Sequence, residues 1–304
     1  MPPTPFSKKI LFTPRQPVLA LNDGYHWQEI LQYGISLCFT MVLSGSLSKN
    51  ATVFPDGSVT LIIRCDDNTP RFDTATLYGS TQQAVDIRDL CHLQTGDRIF
   101  GVRFLPAQMG LSNSIFPGMF GPAGFNLCAF DPGYQKIFRH IAREDDFSRQ
   151  IHLFMDWYLP HSQSTDCLSP HQQVCLHLFD KITRCQGLIK VNTLSELTGY
   201  PVNSLDRFFK QTFGLTPKKM IDIVRFQNVL CALEKNDPLI DIVTEYDYYD
   251  QSHLTRSFKK FTGFTPLKYK KAIDSYYTNE SIAHYVLSPG CSRLAPEHLN
   301  PRFF

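Results

Sequence analysis

The 304-residue sequence has no CxxC pair, no His-x-His cluster, no GxSxG, GxGxxG or phosphate-loop motif, and no apolar run near the ~18 residues of a membrane span. Each absence removes a class. Nine cysteines, an odd number scattered from Cys38 to Cys291, suit reduced buried thiols better than a disulfide or zinc framework. His26, His92 and His140 are solitary and do not make the ligand set of a cupin-like metal enzyme. His171 and Cys175 share a helical face, but no third ligand stands at suitable spacing, and Cys175 fits an apolar stripe with Leu178, Phe179 and Ile182. No metal and no cofactor is therefore expected. The glycine-rich Gly118 to Gly124 lacks the Lys-Ser/Thr ending of a phosphate loop and reads as a plain loop. The first twenty residues place Lys8, Lys9 and Arg15 among prolines without a signal-peptide core, so a soluble cytoplasmic protein with no membrane partner is expected.

Charge of one sign is also scarce, the net being +2, but it is unevenly placed. Residues 180–274 hold 15 Lys plus Arg against 11 Asp plus Glu, and the remainder holds 15 against 17. The excess positive charge thus lies in the C-terminal third, a modest pointer to a polyanion there.

What is present is enough apolar residue, 43%, for two cores, and two textures along the chain. Up to Leu105 the pattern is short strands and turns: Ile35 to Leu43, Val59 to Ile63 after the turn Phe54-Pro55-Asp56-Gly57-Ser58, then Ala75 to Tyr78, Ala84 to Ile87 and Arg98 to Leu105. This predicts a small antiparallel, β-barrel-like domain able to hold a small molecule. After Asp131-Pro132-Gly133 the period becomes helical, with helices over Tyr134 to Ala142 and Phe147 to Leu159 that either cover the sheet or contact a second copy. A polar, proline-flanked stretch follows and reads as a linker.

The C-terminal part contains one stretch twice. Leu205-Asp206-Arg207-Phe208-Phe209-Lys210-Gln211-Thr212-Phe213-Gly214-Leu215-Thr216-Pro217 returns 49 residues later as Leu254-Thr255-Arg256-Ser257-Phe258-Lys259-Lys260-Phe261-Thr262-Gly263-Phe264-Thr265-Pro266, with seven of thirteen positions identical. A repeated unit explains that register, and each copy is a short helix with an apolar base and outward Arg and Lys. Around the copies, Ser169-Pro170 starts a helix to Arg184, Asn192 caps a short helix through Leu197, Gly199-Tyr200-Pro201 turns into Val202 to Phe213, and Thr216 caps a long helix to about Asn236. Leu239 to Tyr246, a turn at Asp247-Tyr248, Gln251 to Thr262 and a helix from Pro266 repeat the cycle. Short helix, turn and basic second helix form a helix-turn-helix.

The Leu-x-Arg-x-Phe-Lys and Gly-x-Thr-Pro motifs, the run Asp250 to Lys259 and the long helix with Arg225 resemble the DNA-binding domain of AraC/XylS-type transcription regulators over Ser169 to Ala272. The resemblance implies seven helices, two helix-turn-helix units joined by the long middle helix, and recognition helices entering one DNA face about 34 Å apart. Carried over by position, the DNA-binding residues are Asn203, Asp206, Arg207 and Lys210 in the first unit and Gln251, Ser252, Thr255, Arg256, Lys259 and Lys260 in the second. Arg207 suits a guanine and Asn203 an adenine edge, whereas Lys259 and Lys260 suit phosphates. Arg256 is open to a second reading, an ion pair with Asp250. Asp206 either reads a cytosine amino group or weakens phosphate binding. Asp247 stands where the family usually has a turn glycine, and a phosphate contact is expected of one hydroxyl, that of Tyr248 or of Tyr249. The segments Phe54 to Ile62 and Gly101 to Pro106 more distantly resemble a β-rich domain of unassigned role that precedes this DNA-binding domain in some regulators.

The expected fold is α+β: a β-rich sensor or dimerisation domain with C-terminal helices over 1–160, a linker over 161–168, an all-α double helix-turn-helix domain over 169–275 and an extension over 276–304. The expected function is that of a non-enzymatic, sequence-specific regulator of transcription, by analogy an activator. Its expected partners are double-stranded DNA, RNA polymerase, a small-molecule effector and a second copy in a homodimer. Two alternatives are a DNA-targeted enzyme with a catalytic β-domain, as in repair regulators with reactive cysteines, and a constitutive architectural protein with an empty β-domain.

Overall fold

The computed structural model describes residues 16, 25–43, 52–65, 75–106, 108–109, 115–120, 124–162 and 169–276. The expected proline-punctuated start, most of the linker and the extension past residue 276 lie outside the described residues. In the N-terminal half, β1 (Tyr25–Gln32), β2 (Ile35–Val42), β4 (Val59–Cys65), β5 (Ala75–Tyr78), β7 (Arg98–Phe104) and β8 (Phe125–Asn126) form an antiparallel sheet of order β1-β2-β7-β4-β5-β8. A pair of short strands, β3 (Thr52–Val53) and β6 (Val85–Asp86), makes a second small sheet, followed by the one-turn helix α1 (Ile87–Cys91).

Strand alternation assigns the two faces. Val59, Leu61 and Ile63 of β4 and Phe100, Val102 and Phe104 of β7 face one core, where α3 (Tyr134–Arg143) and α4 (Phe147–His161) cover them after the short α2 (Leu127–Phe130). The Tyr158 hydroxyl ties α4 to the sheet by donating to the Tyr33 carbonyl at 3.1 Å. Covering the sheet is thus one of the two roles expected of these helices that they do fill. Leu37, Phe39 and Met41 of β2, with Ile62 and Ile99, face the other core beneath Val53, Ile87 and Cys91. There the Phe39 ring lies across Gly101, where a β-carbon would come within 2.2 Å of it.

Two strand expectations shift. Only Val85–Asp86 pairs within Ala84 to Ile87, because the Asp86 carboxylate accepts from the Arg88 N–H at 2.8 Å and so starts α1 at Ile87. Strand β1 was not expected: only Tyr25 of its eight residues is buried, so an edge strand leaves no apolar alternation to read.

The helical half contains seven helices: α5 (Pro170–Arg184), α6 (Val191–Thr198), α7 (Val202–Phe213), α8 (Pro217–Glu234), α9 (Leu239–Glu245), α10 (Gln251–Thr262) and α11 (Pro266–Tyr276). Ser169 and Gln172 close a capping box at the start of α5. Asn192 lies inside α6 instead of capping it, since the helix begins at Val191, two residues earlier than an Asn192 cap implies, after Lys190 and without a side-chain cap. No helix among the described residues is long and apolar enough to cross a membrane.

The two halves are joined by a plug. The turn between β3 and β4 pushes Phe54 out of the sheet half and into the helical core, fully buried, with ring centroids 6.1 Å from Phe226 and 6.2 Å from Tyr269. Beside it the Gln227 side chain donates to the Pro55 carbonyl at 2.9 Å. Helix α8 is consequently buried at twelve of its 18 residues, on more than the single stripe that a surface helix needs. Gly101→Ala is expected to lower stability by about 1–3 kcal/mol through crowding of Phe39, read as a lower urea midpoint. An unchanged midpoint would show that the ring has room to move.

Candidate nucleic-acid interface

The repeat is a repeat of helix boundaries as well as of residues. Helices α7 and α10 have twelve residues each and end on Gly214 (φ 71°) and Gly263 (φ 77°), whose left-handed backbone stops the helix. Two residues on, Thr216 and Thr265 accept from the N–H groups of Lys219 (3.2 Å) and Lys268 (3.3 Å), and Pro217 and Pro266 occupy the first turn of α8 and α11. Gly-x-Thr-Pro is thus a stop followed by a start. The Leu and second Phe of the motif are buried in both copies, as Leu205 with Phe209 and as Leu254 with Phe258.

This packing turns one face of each helix outward. Asn203, Arg207 and Lys210 are exposed on α7, with Asp206 half-buried between them. Gln251, Ser252, Arg256, Lys259 and Lys260 are exposed on α10, with Thr255 half-buried. The structure therefore presents the ten expected site residues as two groups on separate helices of a shared core. Arg207 lies 5.3 Å from the Phe208 ring centroid, so an aromatic neighbour supports its guanidinium. Asp250 is not used for an ion pair with Arg256. Its carboxylate caps α10 by accepting from the His253 N–H at 2.6 Å, and Arg256 stays outward.

Sequence reasoning missed how the two units are held together. The Arg225 guanidinium, on α8, donates through Nε and an Nη to the Gly187 carbonyl, both at 3.3 Å, and sits 5.9 Å from the Tyr248 ring. One side chain thereby links the turn after α5 to the turn before α10. Asp247 adopts positive φ (53°), the conformation that a turn glycine would supply, and Asp tolerates it better than most residues. Tyr248 is partly buried in this contact, so of the two tyrosines it is Tyr249, 92% exposed, that stands free beside α10.

Lys219 was missed too. Its ammonium donates to the Gln82 carbonyl of the sheet half at 2.7 Å and lies 4.8 Å from the Phe261 ring centroid. Burial, then the neighbouring Lys260 charge, lowers its pKa from the ordinary lysine value. On the other side the 3-10 turn Pro117–Met119 packs on α7, with Gly118 against the Lys210 backbone. His171, considered above with Cys175, stacks on Phe208 at 4.1 Å, while Cys175 is buried and its thiol is pushed up to about 11 by that burial.

A helix-turn-helix domain model matches residues 194–272, from within α6 to α11. The probable transcription factor PqrA of Proteus vulgaris is 31% identical over 92 residues, which are 30% of this chain and 75% of that protein. The chain belongs to the AraC family of transcription regulators. It is a DNA-binding transcription regulator whose helix-turn-helix region is the part shared with that relative. Two structures of ToxT from Vibrio cholerae align over 82% of this chain and 98% of theirs, at 11% and 10% identity and a TM-score of 0.35.

Substituting Gly187 by Ala should uncouple the linkage, because a β-carbon there would lie 2.6 Å from the Ile221 carbonyl oxygen and φ is +74°. Loss of about 2 kcal/mol or more of stability in chemical unfolding is expected. A variant as stable as the parent would remove the Arg225–Gly187 contact as an organising feature.

Proposed function

We propose that residues 169–275 form the DNA-reading domain of an effector-responsive activator and that residues 1–160 form its sensor. Arg207 reads a guanine, whose O6 and N7 accept both guanidinium donors, and Asn203 reads an adenine edge. Asp206 accepts from a cytosine amino group, and Lys210 meets the backbone beside it. In the second unit Gln251, Ser252, Thr255 and Arg256 face base edges while Lys259 and Lys260 hold phosphates. The residues between the shared Leu, Arg, Phe and Lys differ in the two copies, so each subunit reads two unlike half-contacts. Activation, with contact to RNA polymerase, rests on the behaviour common in the family, and the homodimer rests on the same analogy.

The observation that supports responsiveness is Phe54: a residue of the sheet half completes the core that positions both recognition helices. A ligand that prefers one placement of the β3–β4 turn shifts DNA occupancy by as much as its affinity differs between the two placements. The reactive-cysteine alternative is disfavoured for the buried thiols, because burial pushes Cys91 up to about 12 and Cys38 further, away from the thiolate.

Three measurements test the reading. Arg207→Ala should cost about 1–3 kcal/mol of affinity for a footprinted site and relax preference at one base pair, whereas Lys259→Ala should weaken all sequences alike and lower the salt slope by about 1. Unchanged affinity and footprint would remove Arg207 from the reading set. Phe54→Ala should lower stability by about 3–5 kcal/mol and split one thermal transition into two as the halves uncouple. A single retained transition with unaltered DNA affinity would overturn the coupling. Added transcription from a footprinted promoter on mixing the purified chain with polymerase is the outcome expected of an activator; reduced transcription would reverse the sign.

A further inference from the structure

Behind the Phe54 turn, on the sheet face covered by α1, runs a slot between Phe39, Ile62 and Tyr78 on one side and Ile87 and Leu90 on the other. It is tight: the centre of a water molecule can move over only about 30 Å³ of it. Its polar groups gather where the turn meets β7. Arg103, 4% exposed, stands with Nη1 3.3 Å from Asp56, and Asp56 also accepts from the Gln16 side chain at 3.0 Å and the Ser58 N–H at 2.9 Å. Asp56 is thereby satisfied. Arg103 Nε, Ser58 Oγ and Thr81 Oγ1 are buried and have no hydrogen-bond partner among the described residues.

Three unpartnered polar atoms at one apolar slot are costly unless something completes them. We propose that the slot binds a slim, uncharged aliphatic molecule carrying one oxygen, an alcohol or ketone, with the oxygen accepting from Arg103 Nε and hydrogen-bonded to Ser58 and Thr81. The charge state follows from the ion pair. Arg103 and Asp56 already cancel, so a carboxylate would bring an unbalanced negative charge into a buried site and an ammonium would meet an Arg donor. Slimness follows from the width of the slot, and an aliphatic body from its lining. Two of its residues, Asp56 and Ser58, lie within four residues of Phe54, on the turn that carries the plug. Its regulatory meaning therefore rests on the effector reading above, although its occupancy does not.

The test is calorimetric titration of the full chain with 1-hexanol, with hexanoate and hexylammonium as charged matches. Saturable 1-hexanol binding at about millimolar Kd or tighter is expected, at least tenfold stronger than either ion. Thr81→Val, which keeps shape and removes the hydroxyl, should weaken it about fivefold. Leu90→Trp should abolish it by filling the slot, and an unchanged melting curve for that variant verifies its fold. Absence of saturable binding to the parent chain would mean that the slot holds water only and would overturn the proposal. Equal binding of hexanoate, or binding undiminished in both variants, would overturn it as well. Binding of 1-hexanol with no change in DNA affinity would support the site and sink only the effector reading.

Discussion

Phe54 belongs to the sheet half by chain and to the helical half by contact. Its ring sits against Phe226 of α8 and Tyr269 of α11, and Phe226 in turn stacks on Phe261 of α10, so the second recognition helix leans on a core that the sheet half completes. Removing an aromatic ring from a close-packed interior costs several kcal/mol, a large share of a domain's net stability. The helical half is therefore not energetically independent of the turn that delivers Phe54. That turn is held by the buried Asp56–Arg103 pair and by Gln16, which donates to the Phe54 carbonyl and accepts from its N–H.

From this constraint the rest of the arrangement can be read outward. Helix α8 is sandwiched, with the sheet half on one side and the two helix-turn-helix units on the other, and Arg225 spans between the units from its surface. Lys219 and the 3-10 turn over Pro117–Met119 add contacts at the ends of α8 and α7, which limits rigid-body freedom of the first recognition helix relative to the sheet. Beside the same turn, the slot holds three buried polar atoms without a hydrogen-bond partner among the described residues. Such regions are where a modest binding energy is able to shift a two-state balance.

Much of the helical half was legible in the residues. Ser169-Pro170, Thr216-Pro217 and Pro266 mark starts, and Gly199, Gly214 and Gly263 mark stops, because capping is a local interaction between a side chain and the backbone next to it. Helices α7 and α10 accordingly match expectation to the residue. The misses have equally local causes. Asn192 is a good cap that α6 does not use, and edge strand β1 shows no alternation because little of it is buried. Phe54 looked like part of a turn signal, since nothing near it in sequence says which core receives its side chain. Arg225 was placed on the long helix but not at the junction of the two units, because Gly187 and Tyr248 are 38 residues before and 23 after it.

Sequence by itself determined the duplicated helix-turn-helix units, the boundaries of their second helices and the outward basic residues, because period, capping and repetition act over a few residues or by identity. Tertiary structure alone decided that the two halves share a core through Phe54, that Asp250 caps α10 instead of pairing with Arg256, and that Arg103 ends beside Asp56 with a bare Nε. Those outcomes depend on which distant surfaces meet and on the burial they impose, and burial sets the cost of every unpaired polar atom and the worth of every buried ring.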